Sequence, residues 1–401
     1  MEEISVLVCD DSALMRNLIS HIIDGNEGMK VIAKAQNGQI ALDRLADPEI
    51  KPDVMVLDIE MPVMNGIEFL KERKARKINV PVIILSSIAI KGAAVTMQAL
   101  ELGAVDFITK PNGSVSADIS EIADRLIDMV ASYGYTYARR QGKQTYIPEF
   151  FQRQRKLLQA ERSVAKIKAA NLDEPPQKPK LDLAQLRSFN SIEKKEPAVI
   201  TPLREGGKIE LIGLGISTGG PNALRDVFKM IDPHLQQPIL VVQHMPKGFT
   251  KAFAESLNKI CPLSVKEAED GDKIENGHIY IAPGDYHIVV EQRFGGNVIR
   301  LSQEAPRNGH RPSADVMFES MAKAYKNHAL GVIMTGMGRD GAVQLAEMRK
   351  QGAWTIGQDE ESSIVYGMPR AAWEMGAVQK QVPLTKMADA ISSIAREHLT
   401  S

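Results

Sequence analysis

The stretch LIGLGISTGGPNAL, residues 211–224, joins a predicted strand to a predicted helix. Its apolar residues are typical of a buried strand, and the glycines that follow allow the backbone to turn sharply. Pro221 is typical of the first turn of a helix. Ser217 therefore lies at a strand–turn–helix junction of an α/β fold, beside the unpaired N–H groups and the positive dipole end of the helix.

Three interpretations of this turn compete. Gly213 and Gly215 begin a G-x-G-x-x-G dinucleotide motif, but Thr218 replaces its third glycine, and the acidic partner expected about 20 residues later is missing. Gly215, Ser217 and Gly219 match the G-x-S-x-G motif around the nucleophile of α/β-hydrolases. A tight structural turn with a solvated serine fits as well. The choice depends on the rest of the chain.

The composition indicates two or three globular domains. The chain has 401 residues, of which 44% are hydrophobic, and this is ample for ordinary cores. Its net charge of -1 argues against a nucleic-acid binder. Cys9 and Cys261 offer neither a disulfide framework nor metal-ligand spacing. No signal-peptide pattern and no run of about 18 apolar residues occurs, so we expect a soluble, cytoplasmic protein without direct membrane insertion.

Residues 1–133 alternate five apolar strand patterns with five helical segments, which predicts a doubly wound, five-stranded parallel sheet. Functional groups in such sheets gather at the carboxyl ends of the strands. The first and third strand ends supply Asp10, Asp11 and Asp58. Each acid could cap a helix, but three carboxylates in one crevice would repel one another unless a hard cation joined them. Mg²⁺ prefers ligands of this kind.

Four motifs of this segment resemble the response-regulator receiver domain, which has a flavodoxin-like fold. They are VLVCDDS (6–12), VLDIEMPVMNG (56–66), ILSS (84–87) and TKP (109–111). The resemblance implies that Asp58 accepts a phosphoryl group from a histidine kinase. It also implies that Asp10, Asp11 and Asp58 bind Mg²⁺ together with the backbone carbonyl of Glu60. A carboxylate with a metal that offsets charge suits the formation of an aspartyl-phosphate.

The same resemblance implies a phosphorylation switch in the last two strands of this segment. Ser86 would be the switch hydroxyl, Lys110 the cation that contacts the phosphate, and Phe107 the aromatic residue that moves with the switch. A lysine and a hydroxyl can read a new phosphate through charge-assisted hydrogen bonds.

The pattern changes over residues 134–206, which we interpret as a linker. The segment has little strand alternation, and it becomes rich in proline and charge. Residues 149–170 could form a basic helix with a ragged apolar stripe, and the stretch from Glu174 to Glu196 is expected to be flexible. The sequence therefore predicts a basic, partly helical and then flexible connection.

Residues 207–401 return to the strand–helix alternation. His244 directly follows the strand pattern PILVVQ, and Asp340 follows ALGVIMT, so both are expected at the same sheet edge as Ser217. A nucleophilic serine needs a base to take its proton, and that base needs a carboxylate to orient it. Ser217, His244 and Asp340 could supply these groups, although a histidine at a strand end can also be purely structural.

The chain order separates two classes of esterase. An α/β-hydrolase runs Ser, then Asp or Glu, then His, whereas the candidates here run Ser, His, Asp. The region instead resembles the catalytic domain of the chemotaxis protein-glutamate methylesterases, and its motifs occupy much of residues 211–373. These motifs are GISTGGP, QHMP, IAPGDYH, GHRPSAD, TGMGRDGA and QDEESSIVYGMPRAA.

This second resemblance implies a Rossmann-like α/β esterase domain over residues 207–401, with no cofactor in its active site. Ser217 would be the nucleophile, His244 the general base and Asp340 the acid that orients the base. The backbone N–H of Met337 would contribute to the oxyanion hole, and Thr218 would belong to the same pocket. Arg311, Asp315 and Arg370 lie in the same motifs, but the sequence does not place them against a substrate.

The implied function is a phosphorylation-regulated serine esterase, with a chemotaxis histidine kinase as the phosphodonor. It would hydrolyse glutamate γ-methyl esters on methyl-accepting chemotaxis receptors and release methanol. Deamidation of receptor glutamines is a second activity that the resemblance implies. The alternative is a response regulator whose output domain binds receptors without catalysing a reaction.

Overall fold

The structure is a computed structural model that describes residues 1–87, 90–110, 116–149, 151 and 196–398. These residues form two units, each with a parallel sheet of its own. Apart from their end residues, the predicted basic helix and flexible stretch of the linker lie outside the described ranges. Within those ranges, every helix is too short or too polar to cross a membrane.

The first unit follows the predicted alternation of strands and helices. Its sheet has the strand order β2-β1-β3-β4-β5, and all of its pairings are parallel. The strands β3 and β4 are buried along their whole length, as expected for a sheet that is covered on both faces. In chain order, the elements from the amino end to residue 140 are β1 (Ile4–Cys9), α1 (Ala13–Asp24), β2 (Met29–Ala35), α2 (Gly38–Ala46), β3 (Val54–Asp58), α3 (Gly66–Ala75), β4 (Val82–Ser86), α4 (Ile90–Glu101), β5 (Asp106–Thr109) and α5 (Ser116–Arg140).

The predicted boundary at residue 133 falls inside α5, so the first unit is longer than expected. Tyr133 is buried, and its hydroxyl donates to Asp106 Oδ2 at 3.0 Å. Beyond the helix, Lys143 Nζ lies 2.8 Å from Asp53 Oδ1, and the N–H of Glu2 donates to the carbonyl of Gln144. The first residues of the predicted linker, up to Arg140, are therefore part of the helix that packs against β1.

The second unit has a seven-stranded parallel sheet and a separate antiparallel hairpin. The sheet order is β14-β13-β12-β6-β7-β9-β8, and the hairpin pairs β10 with β11. The elements are β6 (Leu211–Ile216), α6 (Gly220–Lys229), β7 (Ile239–Gln243), α7 (Phe249–Asn258), β8 (Ser264–Glu267), β9 (His278–Ile281), β10 (His287–Arg293), β11 (Gly296–Ser302), α8 (Ala314–Ala324), β12 (Ala329–Ile333), α9 (Ala342–Lys350), β13 (Trp354–Gln358), α10 (Met368–Glu374), β14 (Lys380–Val382) and α11 (Leu384–Glu397).

The strand order places three carboxyl ends side by side. Strand β6 is central and pairs in parallel with β7 on one side and with β12 on the other. The chain runs outward from β6 through β7 and later returns to β12, so the order reverses at β6. In open α/β sheets, such a switch point is where ligands bind. The segment before β6 packs on this unit, since the N–H of Leu203 donates to the carbonyl of Lys350.

Candidate active site

Three of the predicted side chains meet at the carboxyl edge of the second sheet. Ser217 follows β6, His244 follows β7, and Asp340 lies between β12 and α9. Ser217 Oγ is 3.0 Å from His244 Nδ1, and His244 Nε2 is 2.8 Å from Asp340 Oδ2. With a proton on Nε2 donated to Asp340, Nδ1 is left with a lone pair that can accept the serine proton. The geometry is that of an activated nucleophile.

The turn that carries Ser217 is fixed by its main chain. The N–H of Ser217 donates to the carbonyl of Thr335 at 2.9 Å, and its carbonyl accepts the N–H of Gly220 at 2.7 Å. Gly219 has a φ of 81°, which favours glycine. Helix α6 begins at the next residue with Pro221 in its first turn, as the sequence predicts.

Asp340 is held in its charged form by an unusually complete set of donors. Its Oδ1 atom accepts from Ser313 Oγ at 2.6 Å and from Asn308 Nδ2 at 2.9 Å. Its Oδ2 atom accepts the N–H of Ala314, the first residue of α8, at 2.7 Å. Burial alone would raise its pKa, but the bonds from His244, Ser313 and Asn308 outweigh burial and hold the pKa of Asp340 well below its usual value.

Two backbone N–H groups beside Ser217 are available to a ligand. A Cβ atom on Gly336 would lie 2.8 Å from the Cβ of Ser217, so the chain before Met337 packs directly against the serine. The carbonyl of Thr218 accepts from Thr335 Oγ1 at 3.0 Å. Among the described residues, the N–H groups of Met337 and Thr218 have no protein acceptor. Unpaired donors next to a nucleophile are suited to an oxyanion hole.

A second cluster lies at the carboxyl edge of the first sheet. Ligand oxygens of Asp10, Asp11 and Asp58 all lie within 4.8 Å of one another. Lys110 Nζ is 2.8 Å from Asp58 Oδ2 and 3.1 Å from Asp10 Oδ2. Burial raises the pKa of Asp58 to about 6, against the opposing effect of Lys110. Asp10 and Asp58 are buried and Asp11 is exposed, and three carboxylates spaced this closely fit a hard divalent cation such as Mg²⁺.

The remaining predicted residues of the first unit lie on or beside the same strands. Ser86 is the buried last residue of β4, and its hydroxyl donates to the carbonyl of Ser87 at 3.2 Å. Phe107 is buried in β5, where it pairs with Ile84. Glu60 lies two residues after Asp58, and its side chain is exposed. Their switch and metal-binding roles stay predictions.

Comparison with known proteins gives matches to both units. The family model of the response regulator receiver domain matches residues 6–118, and that of the CheB methylesterase matches residues 212–391. The protein-glutamate methylesterase/protein-glutamine glutaminase of Treponema denticola is 52% identical over 397 residues, which are 99% of this chain and 100% of that protein. The chain belongs to the CheB methylesterase family. The protein of the same name from Treponema pallidum is 46% identical over 423 residues, with 100% of this chain and 99% of that protein covered.

The CheB-family chain is also similar to a solved structure. The catalytic domain of the Thermotoga maritima CheB methylesterase is 36% identical, covers 47% of this chain and 99% of its own, and has a TM-score of 0.45. The family matches confirm both resemblances inferred from the motifs. The two parallel sheets confirm the predicted fold class.

Sequence reasoning missed four polar residues around the CheB-family triad. The ring of His310 stacks on His244 with centroids 3.8 Å apart, and Asn308 and Ser313 donate to Asp340. The fourth residue, Gln243, contacts the main chain of Ser217 and His244. Three of the four lie within or next to the quoted motif GHRPSAD, so the signal was present, but only the fold brings that loop to Asp340.

The motif residues left without a role make other contacts in this CheB-family chain. Arg311 Nη2 lies 2.5 Å from Asp285 Oδ1. Asp315 accepts from Asn308 Nδ2 at 2.7 Å and from the N–H of Gln344 at 2.9 Å. Arg370 Nε lies 3.9 Å from Glu374. Asp315 thus shares Asn308 with Asp340 but has no bond to His244.

Proposed function

We propose that this protein hydrolyses glutamate γ-methyl esters on the cytoplasmic helices of chemoreceptors, under the control of a phosphorylated receiver unit. The observation that carries the proposal is the hydrogen-bonded series Ser217 Oγ, His244 and Asp340 at adjacent strand ends. Its close relatives are named protein-glutamate methylesterase/protein-glutamine glutaminase over their full length. A triad in this arrangement supports acyl transfer through a serine.

The first half of the reaction forms an acyl-enzyme. Ser217 Oγ attacks the ester carbonyl carbon while His244 Nδ1 takes the serine proton. Asp340, which stays a carboxylate, stabilises the imidazolium through Nε2. The carbon–oxygen bond to the methoxy group then breaks, and His244 returns the proton to that oxygen, so methanol leaves. In the second half, water attacks the acyl-enzyme by the same proton transfers, which yields the glutamate carboxylate and free Ser217.

The negative charge on the tetrahedral intermediate is stabilised by main-chain donors. The N–H groups of Met337 and Thr218 lie next to Ser217 and have no protein acceptor in the described part of the chain. The amino end of α6 adds a positive dipole on the same side. Removal of one such donor typically costs about 10² to 10³ in kcat.

Deamidation of receptor glutamines uses the same groups. The amide carbonyl takes the place of the ester carbonyl, and ammonia leaves after His244 has given it a proton. The word glutaminase in the names of the relatives supports this second activity.

We infer that the receiver unit takes a phosphoryl group on Asp58 from a histidine kinase. Asp10, Asp11, Asp58 and the backbone carbonyl of Glu60 would hold Mg²⁺, which offsets negative charge during the transfer. Lys110 is already within ion-pair distance of Asp58 and would pair with the new phosphate. Ser86 would donate its hydroxyl to a phosphate oxygen, and Phe107 would move with it. Asp58→Asn should abolish labelling by acetyl phosphate and leave unphosphorylated esterase activity unchanged.

The decisive test measures methanol release from methylated receptor and labelling by a fluorophosphonate. Ser217→Ala should lose both, with a fall in kcat on the order of 10⁴ to 10⁶. Ser302→Ala, a surface serine of the same unit, serves as the control and should keep both. If Ser217→Ala kept its activity, the triad assignment would fail. A protein that bound receptor but neither released methanol nor reacted with the probe would be a binding module.

A further inference from the structure

The amide of Gln243 touches the main chain of both the nucleophile and the base. Gln243 is the last residue of β7, directly before His244, and only 2% of its surface is exposed. Its Nε2 atom donates to the carbonyl of Ser217 at 3.1 Å and to the carbonyl of His244 at 3.2 Å. Both hydrogens of one NH₂ group are therefore used to join the two turns that carry the reacting side chains.

The other half of the amide is poorly satisfied. Gln243 Oε1 is buried and has no hydrogen-bond partner among the described residues. It faces Gly220, where a Cβ atom would lie only 1.9 Å from Oε1. A buried acceptor without a partner is destabilising, so an apolar side chain of similar length would suit a purely packing role better. What the apolar side chain lacks is the pair of donors.

The bond to Ser217 lies where the pairing of β6 with β7 stops. The last register pair is Ile216 with Gln243, and the N–H of His244 donates to the carbonyl of Ile216 at 3.2 Å. Beyond this point the Gln243 amide extends the connection by one residue, to the carbonyl of Ser217. Since the N–H of Ser217 is bonded to Thr335 after β12, the serine is held from both neighbouring strands.

We propose that Gln243 is a positioning residue of the esterase reaction. Its amide fixes the turn of Ser217 relative to that of His244 and so maintains the 3.0 Å contact between Oγ and Nδ1. This inference rests on the proposed function. Misplacement of a reacting group by about 1 Å can cost on the order of 100-fold in rate, so loss of the amide acts on kcat rather than on substrate binding.

The chain contains a matched control in Gln237, just before β7. Gln237 is also buried, and its Nε2 atom donates to the carbonyls of Ile209 and Ala395 at 3.2 and 3.3 Å. It therefore joins two main-chain carbonyls in the same way, but at the amino end of the strand. At about 3.3 Å per residue, that end lies well away from Ser217.

The first experiment compares Gln243→Leu with Gln237→Leu in the full chain. Methanol release from methylated receptor gives kcat and KM, and thermal melts report folding. We expect Gln243→Leu to lower kcat by about 10- to 100-fold with KM within about twofold. Gln237→Leu should melt at a lower temperature but keep kcat within about twofold. Equal kcat values for the two variants would overturn the proposal.

The second experiment uses Gln243→Glu, which tests the donors within one folded protein. A carboxylate at this site cannot donate to the carbonyls of Ser217 and His244, whereas a protonated carboxyl can donate to one of them. The ratio of its kcat to that of the unaltered protein should therefore fall as pH rises from 5.5 to 8.5. The other titratable groups at this edge, His244, His310 and Asp340, are common to both proteins. Gln237→Glu should give a constant ratio, and a constant ratio for Gln243→Glu would refute the role.

The failure of this inference can be told apart from failure of the proposed function. Methanol release by the unaltered protein and by Gln237→Leu upholds the function, whatever Gln243→Leu does. If neither releases methanol, the proposed substrate is wrong. The rate of fluorophosphonate labelling at Ser217 then decides the inference, since only Gln243→Leu should slow it, and equal rates in both variants would overturn it.

Discussion

Asp340 and Asp58 are both acids at the carboxyl end of a parallel sheet, yet their surroundings have opposite effects. Asp340 is 1% exposed and Asp58 is 3% exposed, so burial does not separate them. Asp340 accepts hydrogen bonds from His244, Ser313, Asn308 and the start of α8. Asp58 has the N–H of Ile59 and the cation of Lys110. The pKa of the first is held low, and that of the second is raised to about 6.

The comparison shows how the number of donors decides the use of a buried carboxylate. A satisfied carboxylate keeps its charge, and Asp340 can therefore stabilise the His244 imidazolium at any ordinary pH. A buried carboxylate with few hydrogen-bond donors is stabilised in its charged form when a new cation or donor binds to it. Among the described residues, the buried Oδ2 atoms of Asp10 and Asp58 have Lys110 as their ion-pair partner and accept no other hydrogen bond, which suits a site that takes up a cation and a phosphoryl group.

Among the substitutions that test this comparison of Asp340 with Asp58, Asp340→Asn should have the largest effect, because it removes the charge that the donors maintain. An asparagine keeps the size of the side chain but disfavours the tautomer with a lone pair on Nδ1. We expect kcat for methanol release to fall by about 10³- to 10⁴-fold. Asp315→Asn is the control, because Asp315 is a buried acid of the first turn of α8 that also accepts from Asn308 but has no bond to His244, and it should lose less than about tenfold. Similar losses in both variants would mean that charge at Asp340 has no special role.

An intermediate effect is expected from Asp58→Asn, in the stability of the first unit without metal. Because burial raises the pKa of Asp58 to about 6 in the folded chain, its carboxyl group binds a proton more tightly there than in the unfolded chain. The favourable contribution of Asp58 to the free energy of unfolding is therefore complete below about pH 4, and it is lost as the pH rises through about 6. At pH 8 in EDTA, the substitution should raise the free energy of unfolding by on the order of 2 to 3 kcal/mol, and at pH 4 by little.

Trp354 and Trp373 both lie in the second unit, so tryptophan fluorescence does not report unfolding of the first. Hydrogen exchange of the β3 peptide in the full chain can measure this change instead. Asp43→Asn, an exposed acid of α2, should show no such dependence on pH. Equal protection of β3 in Asp58→Asn and in the unaltered protein at pH 8 would contradict the raised pKa.

The smallest expected effect comes from Ser313→Ala, which removes the 2.6 Å bond to Asp340. This bond is one of those that hold the pKa of Asp340 low, so its loss moves that pKa back towards the usual range. Because the other bonds to Asp340 remain, we expect kcat for methanol release to fall by less than about fivefold. Ser320→Ala removes a buried hydroxyl of α8, which donates to the carbonyl of Met317 and accepts the N–H of Val290, and it should leave kcat unchanged. A loss in Ser313→Ala as large as that in Asp340→Asn would contradict the argument.

The triad was predictable from sequence because of a general property of parallel sheets. Ser217 and His244 directly follow recognisable strand patterns, Asp340 lies in the turn after a third one, and the carboxyl ends of neighbouring strands share one edge. Asp10 and Asp58 were predictable for the same reason. The pattern of apolar residues along the chain predicts the strands, and the parallel pairing of the strands brings these side chains together.

The donors to Asp340 were not predictable in this way. Asn308 and Ser313 lie in a loop before α8, and they reach Asp340 because the start of that helix meets the turn after β12. A repeating pattern of apolar residues predicts strands and helices, but it does not predict a contact between a loop and a distant turn. The extent of α5 was missed for a different reason: Tyr133 and Tyr137 have the i, i+4 spacing of a helix face, but the charged run around them resembled a linker.

The main chain of Ser217 is bonded by two anchors, the Gln243 amide and the carbonyl of Thr335, and these are translated at different times. Strand β7 follows closely after the serine, but Thr335, which accepts the serine N–H, is translated only after the hairpin β10–β11 and helix α8. Asp340 comes later still. A nascent chain that has emerged only as far as β11 therefore has the nucleophile and the base but not the second anchor or the acid. We expect such a chain to be inactive, so that hydrolysis begins only once the centre of the sheet has closed around the serine.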